Sequence, residues 1–323
     1  MRPRPEPKVE KWVDRSGTDC ATRRAAKRSQ DPEYCYTLRL MDFAEIRRVT
    51  ITALFSDDYF LEHLVLKGGN ALSLIYGVSD RTSLDLDFSL DSDFPDFEEA
   101  KKRITHALVD RFDAAGLVVF DVHLEPKPRL EGEDLKPWWG GYELRFKLIE
   151  QQKYEALKHR IEKLRINAMV TGIGQDKTFK VDVSKCEYTV GKAECELDSF
   201  TIYVYTPAMI AIEKLRAICQ QMPEYPHRGW PSARARDFFD IYIAVKECEV
   251  DLASNPNLEL IQHMFSAKDV PLKLLSTISG YREFHRPDWD AVRTAVKGPL
   301  KEFDFYFDFV LAEIERLKSL RII

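Results

Sequence analysis

An alternation of apolar and acidic residues, Leu84-Asp85-Leu86-Asp87-Phe88, follows a pair of glycines by fifteen residues, and the two together constrain this chain more than any other feature. Period-two alternation is the pattern of a strand with one buried face. It predicts Asp85 and Asp87 on the same face, carboxylates side by side. Adjacent carboxylates repel and resist being ionised together. A divalent cation such as Mg2+, which takes oxygen ligands, resolves that conflict. The glycines stand in Lys67-Gly68-Gly69-Asn70, directly after the apolar run Leu64-Val65-Leu66. Paired glycines there suit a tight turn whose bare backbone admits close approach by a ligand. The segment Ala71 to Gly77 has helical apolar spacing, so the turn is expected to open a helix, whose free N–H groups favour phosphate. Taken singly, the glycine pair reads as an ordinary turn and the acidic pair as a solvated strand face. In combination they are specific.

A chain of 323 residues, 45% hydrophobic, suffices for one large domain or two ordinary ones. A net charge of -5 with a pI near 5.9 argues against a protein that coats nucleic acid through bulk charge, and leaves local basic patches open. The cysteines are scattered with no Cys-x-x-Cys pair, so neither a zinc site nor a disulfide framework is indicated. No apolar run approaches the ~20 residues that span a bilayer, and the N-terminus MRPRPEPKVEKW lacks an apolar signal core. The expectation is a soluble, reduced, cytoplasmic protein without a membrane partner.

Residues 1–36 are rich in Pro, Arg and Lys, with Arg23, Arg24, Lys27 and Arg28 forming a basic cluster. They read as a disordered tail or as an arm that touches RNA or a partner. Residues 37–60 show near-helical apolar spacing. Helices are predicted over 97–115, with Gly116 as C-cap, over 151–169, and over 208–221 behind an N-cap at Thr206 and Pro207. Strands are predicted over 117–124, 142–149 and 179–183. Trp138 and Trp139 lie in a loop, where they either stack on a base or pack beneath it. The 151–169 helix is strongly basic and placed near the presumed site; it reads as a solvated face or an RNA contact. In Phe179-Lys180-Val181-Asp182-Val183, Asp182 leaves the face that the valines bury. Beyond residue 252 the chain reads as helical over 258–265, 272–279 and 289–320.

The glycine pair, helix and acidic strand resemble the polymerase-beta-type nucleotidyltransferase signature. The wording KGGNAL…RTSLDLDF is closer still to the AbiEii/AbiGii toxin family of nucleotidyltransferases. Its fifteen intervening residues exceed the usual polymerase-beta spacing, a lengthening common in the toxin family. The segments IEKLRA, from Ile212, and RARDFFD, from Arg234, resemble that family's third and fourth motifs. The resemblance implies an α+β fold: a polymerase-beta-like nucleotidyltransferase core with a mixed sheet over 37–205, then a helical C-terminal domain over 206–323. It implies an enzyme that moves a nucleoside monophosphate from an NTP to an acceptor hydroxyl, first of all a tRNA 3′ end. Two Mg2+ ions would be held by Asp85, Asp87 and Asp182, with Asp182 assisting deprotonation. Gly68, Gly69 and Asn70 would cradle phosphates, with Lys67 and Ser83 in the same nucleotide-binding set. Lys214 would hold the triphosphate and Asp237 would complete the catalytic set, with Asp240 beside it. A plain helix–helix ion pair, Lys214 to Asp237, is the competing reading. The chain would be the toxin of a toxin–antitoxin or abortive-infection system, with an antitoxin as partner. Transfer to a protein or small-molecule hydroxyl, and a nucleotide- or RNA-binding module without catalysis, are the alternatives; the intact acidic set argues against the second.

Overall fold

The computed structural model describes residues 41–81, 85–128, 136, 138–171, 175–227 and 230–320. The basic N-terminal tail and Ser83 lie outside the described residues. Helix α1 (Phe43–Phe55) starts at a capping box: the Asp42 carboxylate accepts from Glu45 N–H, and the Glu45 carboxylate accepts from Asp42 N–H. A short helix over Asp58–His63 leads into strand β1 (Leu64–Lys67). The chain then turns through Gly68–Asn70 into one wide turn over Ala71–Ile75 and returns as β2 (Leu86–Leu90). Helix α2 (Phe97–Asp113) ends at a left-handed Gly116, as its composition predicts. Strands β3 (Leu117–Lys127), β4 (Gly141–Glu150), β5 (Phe179–Ser184), β6 (Ala193–Leu197) and β7 (Phe200–Val204) follow.

The seven strands form one mixed sheet in the order β3-β4-β5-β2-β1-β7-β6, so the acidic strand β2 lies at its centre. β2 runs antiparallel to β1 and parallel to β5. Leu86 and Phe88, with Val181, Val183, Phe179 and Phe146 on neighbouring strands, are fully buried or nearly so. That face is covered by the N-terminal helices: Phe55 meets Phe88, Phe43 meets Phe179 and Phe112 meets Phe146. Burying apolar strand and helix faces against each other is the main favourable term. The opposite face carries Lys67, Asp87 and Asp182, which directly neighbour one another across β1, β2 and β5. After β7 the described elements are helical. Among them are α3 (Pro207–Cys219), whose N-cap Thr206 accepts from Met209 N–H, α4 (Ala235–Glu247) and α5 (Phe303–Ser319).

Three local expectations are corrected. The ladder of β2 begins at Leu86, so Asp85 sits in a bend ahead of the strand rather than beside Asp87 within it. The 151–169 segment is two short helices, Gln151–Leu157 and Ile161–Asn167. They pack with Phe120 and Ile149, six residues along β4 from Glu143, the partner of Asp182; this is ~20 Å from the acidic cluster rather than near it. Several of their basic groups are already paired, Lys153 with Glu150, Lys158 with Glu155, and Arg165 with Asp121 and Glu162. The long C-terminal helix is broken into Trp289–Ala295 and Phe303–Ser319, with Gly298 and Pro299 between, because Pro cannot continue a helical ladder. Among the described residues no helix is long and apolar enough to cross a membrane.

Candidate active site

Gly68 explains the glycine pair in structural terms. Its φ of +74° is left-handed, and a Cβ there would lie 2.8 Å from Asp87 Oδ2. The bare backbone therefore lets the Asp87 carboxylate fold against the turn. Asn70 is fully buried and spends its side chain on architecture: Nδ2 donates to the Asp85 carbonyl at 2.6 Å, while Oδ1 accepts from Arg47 at 2.9 Å. Asn70 thereby ties α1 to the bend that holds Asp85. What it can still offer a phosphate is backbone.

Asp85, Asp87 and Asp182 all line one cavity of about 390 Å³ between the polar sheet face and α3. Withdrawal from water pushes the Asp87 carboxyl up to about 6 against the pull of Lys214 and Lys67. Partial desolvation and then Asp182 raise that of Asp85. Raised carboxyls in a cleft mark groups that gain from a cation. Asp182 is 2.7 Å from Lys127 Nζ, which also lies 3.4 Å from Glu143. Among the described residues no three acidic, His or Cys side chains are gathered as a ready metal cage. The donor chemistry nevertheless suits a hard divalent ion: carboxylates on two neighbouring strand positions, a third just ahead of one strand, and one lysine ammonium drawn into them.

The cavity as a whole is cationic. Eight Lys and Arg residues line it against five carboxylates, in a chain whose net charge is -5. Those cations are held from behind. Lys214 lies 3.0 Å from Asp237 and 3.7 Å from Asp240, both fully buried on α4. Arg81 makes a two-pronged bond to Asp240 at 3.0 and 2.8 Å, and Arg234 donates to Asp237 at 2.9 Å. Coulombic attraction to Asp237 and Asp240 raises the Lys214 ammonium despite burial, and Lys214 and Arg234 hold the Asp237 carboxyl well below the usual range. The expected ion pair of Lys214 with Asp237 is therefore present, and Lys214 lines the cavity as well. Asp237 and Asp240 do not line it. They stand one layer back, where they position cations.

Sequence reasoning missed Arg81, Lys127, Glu187, Arg216 and Lys268, all of which line the cavity. Arg216 stands inside the IEKLRA segment, two residues after Lys214. Arg81 opens the RTSLDLDF segment, and Lys127, Glu187 and Lys268 carry no local motif; Lys67 and Glu187, 3.8 Å apart in space, are 120 positions apart in sequence.

A profile of the family described as the nucleotidyl transferase AbiEii toxin of type IV toxin–antitoxin systems matches residues 51–312. No curated protein matches the chain. Two solved structures resemble it weakly. A candidate nucleotidyltransferase from H. pylori is 18% identical, with 86% of this chain and 95% of that one covered and a TM-score of 0.41. An antigenic nucleotidyltransferase-like protein from Paracoccidioides brasiliensis is 12% identical, with 77% and 92% covered and a TM-score of 0.36.

Proposed function

The chain belongs to the AbiEii nucleotidyltransferase toxin family, and we propose that it transfers a nucleoside monophosphate from an NTP to the 3′ hydroxyl of an RNA, first of all a tRNA, with Mg2+ as cofactor and under the restraint of an antitoxin. The observation that carries this reading is the division of one cavity into an acidic strand pair, Asp87 and Asp182 with Asp85 beside them, and a ring of cations that includes Lys67 and Lys214. Carboxylates of that kind hold divalent ions, and cations of that kind hold a triphosphate. In the reaction the acceptor oxygen attacks the α-phosphorus. The bond from that phosphorus to the bridging oxygen breaks, and pyrophosphate leaves with the electron pair. Asp182, the strand neighbour of Asp87, takes the hydroxyl proton. Asp85, Asp87 and Asp182 would hold a divalent cation, which when bound would lower the pKa of the attacking hydroxyl and relieve charge on the leaving group. Lys214 faces the phosphates as a point charge, oriented by Asp237 and Asp240. The backbone of Gly68 and Gly69 approaches them from the turn.

Purified protein incubated with Mg2+, each labelled NTP in turn and total tRNA tests this. Label should appear on RNA with a free 3′ hydroxyl, disappear when that hydroxyl is oxidised with periodate, and disappear for Asp87→Asn. Label on protein or small molecules instead would move the acceptor to another class. No transfer with any NTP would defeat the reading.

A further inference from the structure

We propose that Lys67, Arg216 and Lys268, gathered around Glu187 at one end of the cavity, form the seat for the pyrophosphate end of the nucleotide. The inference rests on the nucleotidyl-transfer reading above and gives Arg216 and Lys268, which that reading leaves without a role, a part in the site beside Lys67. Glu187 is buried and meets Arg216 in a two-pronged pair at 2.7 and 3.2 Å. Lys268 Nζ lies 3.5 Å and Lys67 Nζ 3.8 Å from the same carboxylate. Glu213 approaches Arg216 at 3.7 Å from the neighbouring turn of α3. Three cations, each no more than 6% exposed, thus share two carboxylates while lining an open cavity. Arg216 Nε–H, itself buried, has no acceptor. Buried cations in excess, with a donor unspent, describe a place that gains from an anion.

Position identifies the anion. Lys67 is the strand neighbour of Asp87, and its ammonium donates to Ser184 Oγ at 3.0 Å, two residues along β5 from Asp182. Two strand residues span ~7 Å. A nucleotide whose α-phosphate stands at the carboxylates carries its β- and γ-phosphates a similar distance away. Lys268 comes from the turn after the Asn255–Ser266 helix and donates to the carbonyls of Trp138 and Lys185 at 2.9 and 2.5 Å. It anchors the loop beside the cavity while facing the cluster. Burial, together with Arg216 and Lys67, pulls its ammonium down to about 8 despite Glu187.

The test uses inorganic pyrophosphate and the full chain in EDTA, where the bare carboxylates repel anions and binding reports on the cations alone. Calorimetry should show binding by the wild type. Arg216→Met and Lys268→Met should weaken it about tenfold or more, the usual scale for losing one charge-assisted bond. Glu187→Gln removes the carboxylate that competes with the anion, so it should bind pyrophosphate more tightly and gain a larger rise in Tm from it. A nucleoside monophosphate should bind Lys268→Met and wild type alike. Should Lys268→Met fail to fold, Lys67→Met, which gives up only Ser184 and Glu187, replaces it. Undiminished pyrophosphate binding by a folded Lys268→Met or Lys67→Met, weaker binding by Glu187→Gln, or equal affinity for inorganic phosphate would overturn the seat. None of these readings depends on turnover, so loss of the seat and loss of the nucleotidyl-transfer reading are told apart.

Discussion

Asp87 offers the most direct measurement, because its carboxyl is strained in a known direction. Withdrawal from water pushes it up to about 6, whereas an unfolded Asp titrates near ~3.9. The folded value lies above the unfolded one, so ionising Asp87 costs stability. That cost is absent below pH ~4, grows between ~4 and ~6, and is complete above ~6. A gap of about two units corresponds to at most ~3 kcal/mol; the side chain retains partial exposure, which brings the expectation to ~1–2 kcal/mol. Asp87→Asn keeps the shape and removes the charge. Without metal at pH 8 it should therefore melt higher than the wild type, by about 2–3 °C for a chain of this size. At pH 4.5 the two should nearly coincide. Differential scanning calorimetry at both pH values, with and without Mg2+, reads the whole argument. Mg2+ should lift the wild type through ligand-linked stabilisation and leave Asp87→Asn nearly unmoved. A variant that melts below the wild type at pH 8 without metal would refute the strain. An equal Mg2+ response in both proteins would remove Asp87 from the metal ligands.

Lys214→Ala leaves Asp237 and Asp240 buried with one cation each, Arg234 and Arg81. It should cost ~3–5 kcal/mol in urea unfolding and also weaken NTP binding of the folded fraction; normal NTP affinity would confine Lys214 to a structural role. Lys214→Arg should recover stability more than affinity, since a planar guanidinium does not replace a point charge. Gly68→Ala meets both the left-handed φ and the Asp87 carboxylate, so unfolding experiments should show a loss of ~1–3 kcal/mol, with transfer reduced more than stability; wild-type behaviour in both would disprove the close approach. Lys127→Gln frees Asp182 from its ammonium and should raise Mg2+ affinity in calorimetry, whereas a fall would show that Lys127 helps hold the acids in place.

The parts of this molecule legible in its sequence are those set by local rules. The glycine turn, Gly116 after α2 and Thr206-Pro207 before α3 each name a backbone state that few other residues favour, and each lies where its pattern puts it, whereas the alternation around Asp87 becomes strand only from Leu86 onward. The break at Gly298-Pro299 was equally readable and was overrun by the apolar periodicity on either side. The Asp182 strand was visible, but its pairing was not. That Asp182 neighbours Asp87 follows from β5 joining β2 in parallel across the 94 positions between the two residues, which no local pattern encodes. The bend at Asp85 depends on Asn70 and Arg47, a tertiary clamp. Glu187, Arg216 and Lys268 form a cluster only because α3 and the turn after the Asn255–Ser266 helix close over the sheet.

That closure also answers how a cavity can keep acids and cations within a few ångströms without their cancelling. Unrestrained lysines and arginines would collapse onto Asp85, Asp87 and Asp182 and neutralise the place where a metal must bind. Here four of the eight cations are already tethered to a carboxylate behind them: Lys214 to Asp237 and Asp240, Arg81 to Asp240, Arg234 to Asp237, and Arg216 to Glu187. Those tethering acids are buried, and their partners hold the Asp237 and Glu187 carboxyls well below the usual range, so the cations are not free to move. The result is a field fixed before the nucleotide arrives, which saves the reorganisation that a flexible site would have to undergo. Lys127, about half exposed, is the cation that does reach an active-site acid. Lys127 is also the one of these whose partner, Asp182, is itself assigned to the chemistry. The layer of acids behind the cavity is therefore as much a part of the site as the acids in it, and it is supplied mainly by α4, far from the glycine turn and the acidic strand in sequence.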